Sequence, residues 1–500
     1  MRHHNFLSGV LATALALLLG QAANADAPAG ADLALAGLDP IFEKFMQENN
    51  VPGLVYGVVV GGQLVRVKSF GVQALKSNTP VSADTIFRIA SMSKQMAALA
   101  TLKLRDAGKL SLEAPAENYL PELRAFKYPT ADSPKITVRD LLSHGAGLVT
   151  DDPWGDRQLD MSERDFTRLL EHGIPFSRAP GMAYEYSNFG YALVGRLITN
   201  TARTNYTDYV TSSLVKPLGM SSTGYDIAKA PAGRRATGYR WENGAWLEEP
   251  TLGPGVFGAM GGLSTSANDY AKYVAWVLAA WPPRDGADGT ILRRASVREI
   301  ARPANYSLIA PPLASGDCPR SMAYGFGVIS YNDCLLGVHF GHSGGLPGFG
   351  SNVLFVPNRG LGVFAFANRT YAPASRVVRE AVNSLVRSGA FPERPAPLST
   401  ALQGMGAAIS RIYGSGDVLT ERTVLAMNFL LDRGAPLRNQ ELADLKVKLG
   451  ACQPAGPADS DTAMSATLSF ACERGTLQAK VILAPTLPPT LQTLEFTAQK

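Results

Sequence analysis

Two hydrophobic periodicities alternate along this chain, and the points where one gives way to the other outline its elements. Leu33 to Asn49 carries apolar residues at helical spacing, with Pro40 near the start, and predicts one amphipathic helix. Leu54 to Val60 and Leu64 to Phe70 flank Gly61-Gly62, a strand–turn–strand signal. Ile86 to Ala90 predicts a further strand. The Ala-, Leu- and Met-rich run after it predicts a buried helix ending at Gly108. Thr137 to Leu142 predicts a short helix, and residues 150 to 260 set helical patches among Gly, Pro, Tyr and Trp, which suits the walls of a cleft. Strand patterning returns at Phe326–Ser330, Gly337–Gly341, Asn352–Val356 and Gly360–Ala367, before a closing helix at Arg376–Val386. Helix-plus-strand segments around a helical middle imply an α+β layer architecture: a sheet covered by helices, beside a mainly helical lobe.

The pattern breaks at Gly389 to Pro397, where three prolines punctuate a polar stretch. Beyond it, helical runs at Leu402–Tyr413, Glu421–Leu431 and Asn439–Leu449 precede strand-like runs at Ala466–Cys472, Leu477–Leu483 and Leu491–Phe496. This predicts a main domain over 32–390 and a small α+β domain over 398–500.

The chemistry is carried by three clusters. Ser91 and Lys94 lie three apart where a strand is expected to hand over to a buried helix, so both face one way about one turn apart. A desolvated lysine can take the proton of a neighbouring serine hydroxyl and make it nucleophilic. Ser213 and Lys216 repeat the spacing, but Pro217 follows at once and places that copy at a helix exit. The second cluster is Tyr186 and Asn188, two apart after the Pro180-Gly181 turn. A phenol whose pKa is lowered by nearby cations can shuttle a proton, and the amide can orient a lysine or a substrate carbonyl. The third is His342-Ser343-Gly344-Gly345, where small residues let a substrate backbone approach and a strand edge can offer N–H donors. Gly341 to Gly345 also matches the Gly-x-Ser-x-Gly elbow, which needs a helix after the serine; Pro347, Gly348 and Gly350 follow instead. His339 and His342, three apart on a strand, would point to opposite faces and make no metal pair.

Composition narrows the class. A formal net charge of +5 over 500 residues, with Lys and Arg scattered, does not describe a nucleic-acid surface. Arg2, the apolar run Leu7–Leu19 and Ala23-Asn24-Ala25 read as a cleaved signal peptide over 1–25, which predicts a periplasmic or secreted protein with no stable membrane anchor. The four cysteines agree with export. Cys318 with Cys334 and Cys452 with Cys472 are the plausible pairs, each worth roughly 3 kcal/mol in the loop-entropy model. Metal binding is the alternative use of these cysteines, without histidines at ligand spacing to support it.

Together the three clusters resemble the serine beta-lactamase and D-alanyl-D-alanine carboxypeptidase family, in its class C beta-lactamase-like branch. The likeness runs over roughly residues 38 to 388. It includes Val51-Pro52-Gly53-Leu54, Leu141-Leu142-Ser143-His144-Gly145-Ala146-Gly147-Leu148, Pro217-Leu218-Gly219-Met220 and Gly261-Gly262-Leu263, in the family's order. The resemblance implies an antiparallel sheet flanked by helices. It makes Ser91 the acylated nucleophile, Lys94 its base, Tyr186 the proton shuttle and Asn188 a positioning residue. Ser91 and Gly345 would supply the oxyanion-hole N–H groups, and His342, Ser343 and Gly344 would bind substrate. His342 stands where true beta-lactamases usually carry lysine, a permanent cation for a carboxylate; histidine is mostly neutral near pH 7.

The expectation is therefore an exported serine hydrolase that needs no metal or cofactor. Its partners would be small-molecule or peptide substrates, such as D-amino-acid peptides or small esters. An efficient beta-lactamase is the rival enzyme, and a non-catalytic sensor of wall fragments is the rival outside enzymology.

Overall fold

The computed structural model describes residues 30–312, 318–394, 398–455 and 459–499. Residues 1–25, read from the sequence as a signal peptide, and Pro395 to Pro397 lie outside them. Nine strands form one sheet, in the spatial order Thr79–Pro80, Gln63–Ala74, Gly53–Val60, Leu361–Ala367, Phe349–Val356, Gly337–Leu346, Ile329–Asp333, Arg320–Tyr324, Asn305–Ala310. Every neighbouring pair is antiparallel. The three central strands at Gly53, Leu361 and Phe349 are apolar on both faces and buried almost throughout, which is what a sheet covered on two sides requires.

On one face, Asp39–Glu48 and Ala374–Arg387 pack Phe42, Phe45, Val378, Val382 and Leu385 against the sheet. On the other, Lys94–Asp106 and Ala267–Leu278 join the sheet to a helical lobe in one large core. Residues from Leu402 to Leu494 build a third core under a separate antiparallel sheet. Cys318 bonds Cys334, and Cys452 bonds Cys472 where the strands Cys452–Pro454 and Ser465–Cys472 pair.

Several elements depart from the pattern-based reading. The first helix is two, Ala31–Ala36 and Asp39–Glu48, because the chain turns at Gly37–Leu38 and Pro40 opens the second. The strand expected over Ile86–Ala90 is only Phe87–Arg88, paired with Ser264–Thr265. Ala90 takes a left-handed φ of 51° and swings the chain into the next helix. Gly327, also at positive φ, delays the strand expected from Phe326, which begins at Ile329. Glu421–Leu431 is not one helix: the 3-10 turns at Val418–Val424 kink at Glu421, and Leu425 bridges Leu491. The strands Asn305–Ala310 and Arg320–Tyr324 and the hairpin Tyr239–Glu248 were not anticipated.

Candidate active site

The nucleophile candidate stands in a sharp turn. Ala90–Ser93 forms a single 3-10 turn that runs directly into the helix Lys94–Asp106, so Ser91 sits at the helix entry. Lys94 is completely buried, and its three ammonium hydrogens have three acceptors. Nζ lies 3.0 Å from Ser91 Oγ, 2.7 Å from Asn188 Oδ1 and 2.9 Å from the Met260 carbonyl. Burial pushes its pKa down to about 8, against the opposing pull of Asp152, Asp156 and Asp151. A lysine poised there can give up its proton near neutral pH, which an exposed lysine cannot.

Tyr186 and Asn188 come from the end of a loop and the first turn of the helix Asn188–Ala202. Ser187 caps that helix by accepting from Gly190 N–H, and Asp151 accepts from the Asn188 and Phe189 N–H groups at 2.6 and 2.8 Å. Asn188 is thereby clamped: Nδ2 donates to Asp152 and Oδ1 receives Lys94. The Tyr186 ring lies 4.8 Å from Lys94 Nζ, and Ser91 is close enough to oppose part of the rise in the Tyr186 pKa. Its pKa stands well above the ordinary value, mainly through burial, with Asp152, Tyr184 and Asp156 adding to the rise. The cation-lowered phenol considered from the sequence is therefore corrected: Lys94 is the group poised to titrate, and Tyr186 stays protonated.

The third segment, Gly337–Leu346, lies against the nucleophile turn. A Cβ at Gly344 would sit 2.2 Å from the Ile89 carbonyl oxygen and 3.0 Å from Ala90 Cβ, so only glycine permits this approach. Ser351 Oγ on the next strand donates to the same Ile89 carbonyl at 2.8 Å. Gly345 is half-buried beneath the ring of Tyr371, and Ser343 is exposed. His342 departs from its expected position. It is buried, with Nδ1–H donating to the Ser343 carbonyl and Nε2 accepting from the Tyr324 hydroxyl at 2.8 Å. Burial and Lys94 push its pKa down to about 3, so it is neutral and has no free nitrogen for a substrate carboxylate. His339 diverges, bonding Gly337 O and Arg379 on the other side of the sheet.

These contacts bring Ser91, Lys94, Tyr186, Asn188, Gly344 and Gly345 to one place, from three separate segments. A family model for beta-lactamase matches residues 38–387. The chain belongs to the beta-lactamase family. Among relatives in that family, the protein named flp from Staphylococcus aureus strain N315 is 28% identical over 338 residues. That match covers 66% of this chain and 62% of the relative. Beta-lactamase-like protein 2 of Dictyostelium discoideum is 32% identical over 253 residues, 48% of this chain and 45% of that one. The octameric penicillin-binding protein homologue from Pyrococcus abyssi shares the fold at a TM-score of 0.59 and 19% identity, covering 92% of this chain and 99% of its own. The beta-lactamase fold thus accounts for the sheet and helical lobe, and the solved neighbour also spans the C-terminal region.

Sequence reasoning missed several members of the site. His144 lies at its base, with Nδ1 accepting from Ser187 N–H and its ring 4.4 Å from those of both Tyr186 and Tyr324. Its place in Leu141–Leu148 was noted, yet nothing in the spacing said it would prop up the phenol. The Met260 carbonyl, Asp151, Asp152, Asp156 and Tyr371 come from loops and helix ends, where no periodicity marks a functional side chain. Among the described residues no group of three or more His, Cys, Asp and Glu is placed to hold a metal ion.

Proposed function

We propose that this protein is an exported serine hydrolase that cleaves amide, peptide or ester bonds through an acyl-enzyme on Ser91. D-amino-acid peptides or small esters are its substrates. The observation that carries this reading is Lys94 Nζ, 3.0 Å from Ser91 Oγ and held by burial at a pKa of about 8. Ser91 Oγ attacks the carbonyl carbon while its proton passes to neutral Lys94. The developing oxyanion is received by the N–H groups of Ser91 and Gly345. The carbon–nitrogen or carbon–oxygen bond to the leaving group then breaks, as the proton moves through the Tyr186 hydroxyl to that group. Water attacks the ester by the same route in reverse, losing its proton to Lys94 and releasing the acid and Ser91 Oγ–H.

A neutral, fully engaged His342 argues against strong beta-lactam hydrolysis, because it offers no charge to the carboxylate of such a substrate. Two disulfides and the leader pattern support an oxidising compartment outside the cytoplasm. Mass spectrometry of the intact protein after a fluorophosphonate and a substrate panel tests the mechanism. A single adduct mapping to Ser91 is expected, and an unmodified Ser91 beside a reactive control hydrolase would refute it.

A further inference from the structure

Negative charge gathers around Ser91, and the described contacts leave part of it without a partner. Asp151 is used up in capping the Asn188 helix, and Asp152 holds Asn188 Nδ2. Asp156, one turn along the same loop, is used differently. Its carboxylate is only 1% exposed; one oxygen accepts from the Tyr371 hydroxyl at 2.8 Å and the other has no hydrogen-bond partner. A buried carboxylate oxygen left unmatched is costly unless something else satisfies it. Lys94, the nearest cation, gives its hydrogens to Ser91, Asn188 and Met260 rather than to Asp156. Arg157, the next residue, turns away to Glu249 at 3.3 Å.

Tyr371 explains how a ligand would reach that oxygen. Its ring packs on Gly345, where an added Cβ would fall 2.7 Å from a ring carbon, and its hydroxyl reaches across to Asp156. The residue is 41% exposed and holds a φ of 49°, a left-handed conformation that a bulky side chain adopts only under constraint. One side chain thus covers the oxyanion glycine and occupies half of the buried carboxylate. A substrate seated at Gly345 would lie beside the ring, and a swing of this exposed side chain away from Asp156 would open the carboxylate to it.

We infer that Asp156 is the subsite for the protonated α-amino group of the substrate, and that Tyr371 occupies this place until substrate arrives. The preferred substrates are then amides, peptides or esters of amino acids with a free N-terminus. This rests on the acyl-enzyme reading above and names its substrate class. An ammonium brings three donors where the phenol brought one, enough for both Asp156 oxygens, and a full charge for a carboxylate in a dry wall. The groups acting on Asp156 are Asp152, Tyr371, Lys94 and Asp151, with Arg157 near Tyr371. Burial and Asp152 push the Asp156 carboxyl up to about 6, so it is ionised at neutral pH, where an α-amine is still largely charged.

The test compares D-alanine p-nitroanilide with its N-acetyl counterpart in the full-length protein, Asp156→Asn and Tyr371→Phe. Each protein is first checked for fluorophosphonate labelling of Ser91 and for thermal unfolding. The wild type is expected to favour the free amine by at least about tenfold in kcat/KM. Asp156→Asn, which keeps the acceptor for Tyr371, is expected to erase most of that preference through KM. Tyr371→Phe frees the carboxylate and is expected to lower KM for the free amine. A merely structural role would move both variants the same way. Labelled Ser91 with no preference for the free amine, or a preference untouched by Asp156→Asn, overturns the inference alone. Failure of Ser91 to label, with no turnover of either substrate, overturns the acyl-enzyme reading and this inference with it.

Discussion

On the acyl-enzyme reading, the pH dependence of acylation follows from the burial of Lys94. An exposed lysine at the ordinary value of 10.5 has about one neutral molecule in 3,000 at pH 7; at about 8 the fraction is about one in eleven. Burial therefore raises the reactive fraction roughly 300-fold. Log kcat/KM for an activated ester is expected to climb from pH 5.5 and level off near pH 8; His342 and Tyr186 do not change charge in that window, while ionisation of Asp156, at about 6, shapes the acid end of the climb. Asp152→Asn removes the largest of the charges that favour the ammonium form, so the midpoint is expected to move to lower pH. The stability of the fold carries the same signature with a defined sign. Below about 8 Lys94 is charged in both folded and unfolded chains, and the cost of burying it is fully present. Between about 8 and 10.5 only the unfolded chain binds the proton, so stability rises with pH and the cost is gone above that range. The assay is a stopped-time ester hydrolysis series from pH 5.5 to 10, paired with thermal unfolding. A rate profile flat through pH 8, or a midpoint that rises in Asp152→Asn, would refute Lys94 as the base.

Three further outcomes follow. Tyr186→Phe is expected to lower kcat by about 10²–10⁴ while Ser91 still labels slowly, as loss of a proton relay would do; near-normal turnover of amides counts against the relay. Gly344→Ala drives a methyl into the Ile89 carbonyl and Ser351 Oγ, with an expected loss of about 1–3 kcal/mol in chemical denaturation and a larger loss of activity; an unchanged midpoint would show that the strand can yield. His342→Lys places an amine in a dry position beside Tyr324 and is expected to destabilise the fold without raising nitrocefin turnover. A clear gain in nitrocefin hydrolysis would mean that this position does face substrate.

The parts of the fold that were legible in the sequence are those where burial imposes a period. The three central strands are apolar on both faces and the helix Ala374–Arg387 carries a regular stripe, so their patterns survive without neighbours. Asn305–Ala310 is an edge strand with Tyr306, Leu308 and Ile309 exposed, and an exposed edge leaves no clean alternation to read. Within the site, the residue types and order of Ser91, Lys94, Tyr186 and Asn188 were visible, because a nucleophile and its base need fixed local spacing. The environment of His342 was not. Its neutrality comes from Tyr324, from its neighbour's carbonyl and from Lys94, and sequence distance says nothing about those contacts. The same reason hid Asp156, whose partner Tyr371 lies 215 positions away.

The bond from Ser351 to the Ile89 carbonyl joins points 262 residues apart and braces the turn that presents Ser91. On the acyl-enzyme reading, a reactive Ser91 is therefore expected to require both segments in place. Until the strands after residue 337 have docked, the helix Lys94–Asp106 can already be wound, yet the serine at its entry has no glycine strand beside it. Recovery of fluorophosphonate labelling during refolding is thus expected to lag behind recovery of helical signal.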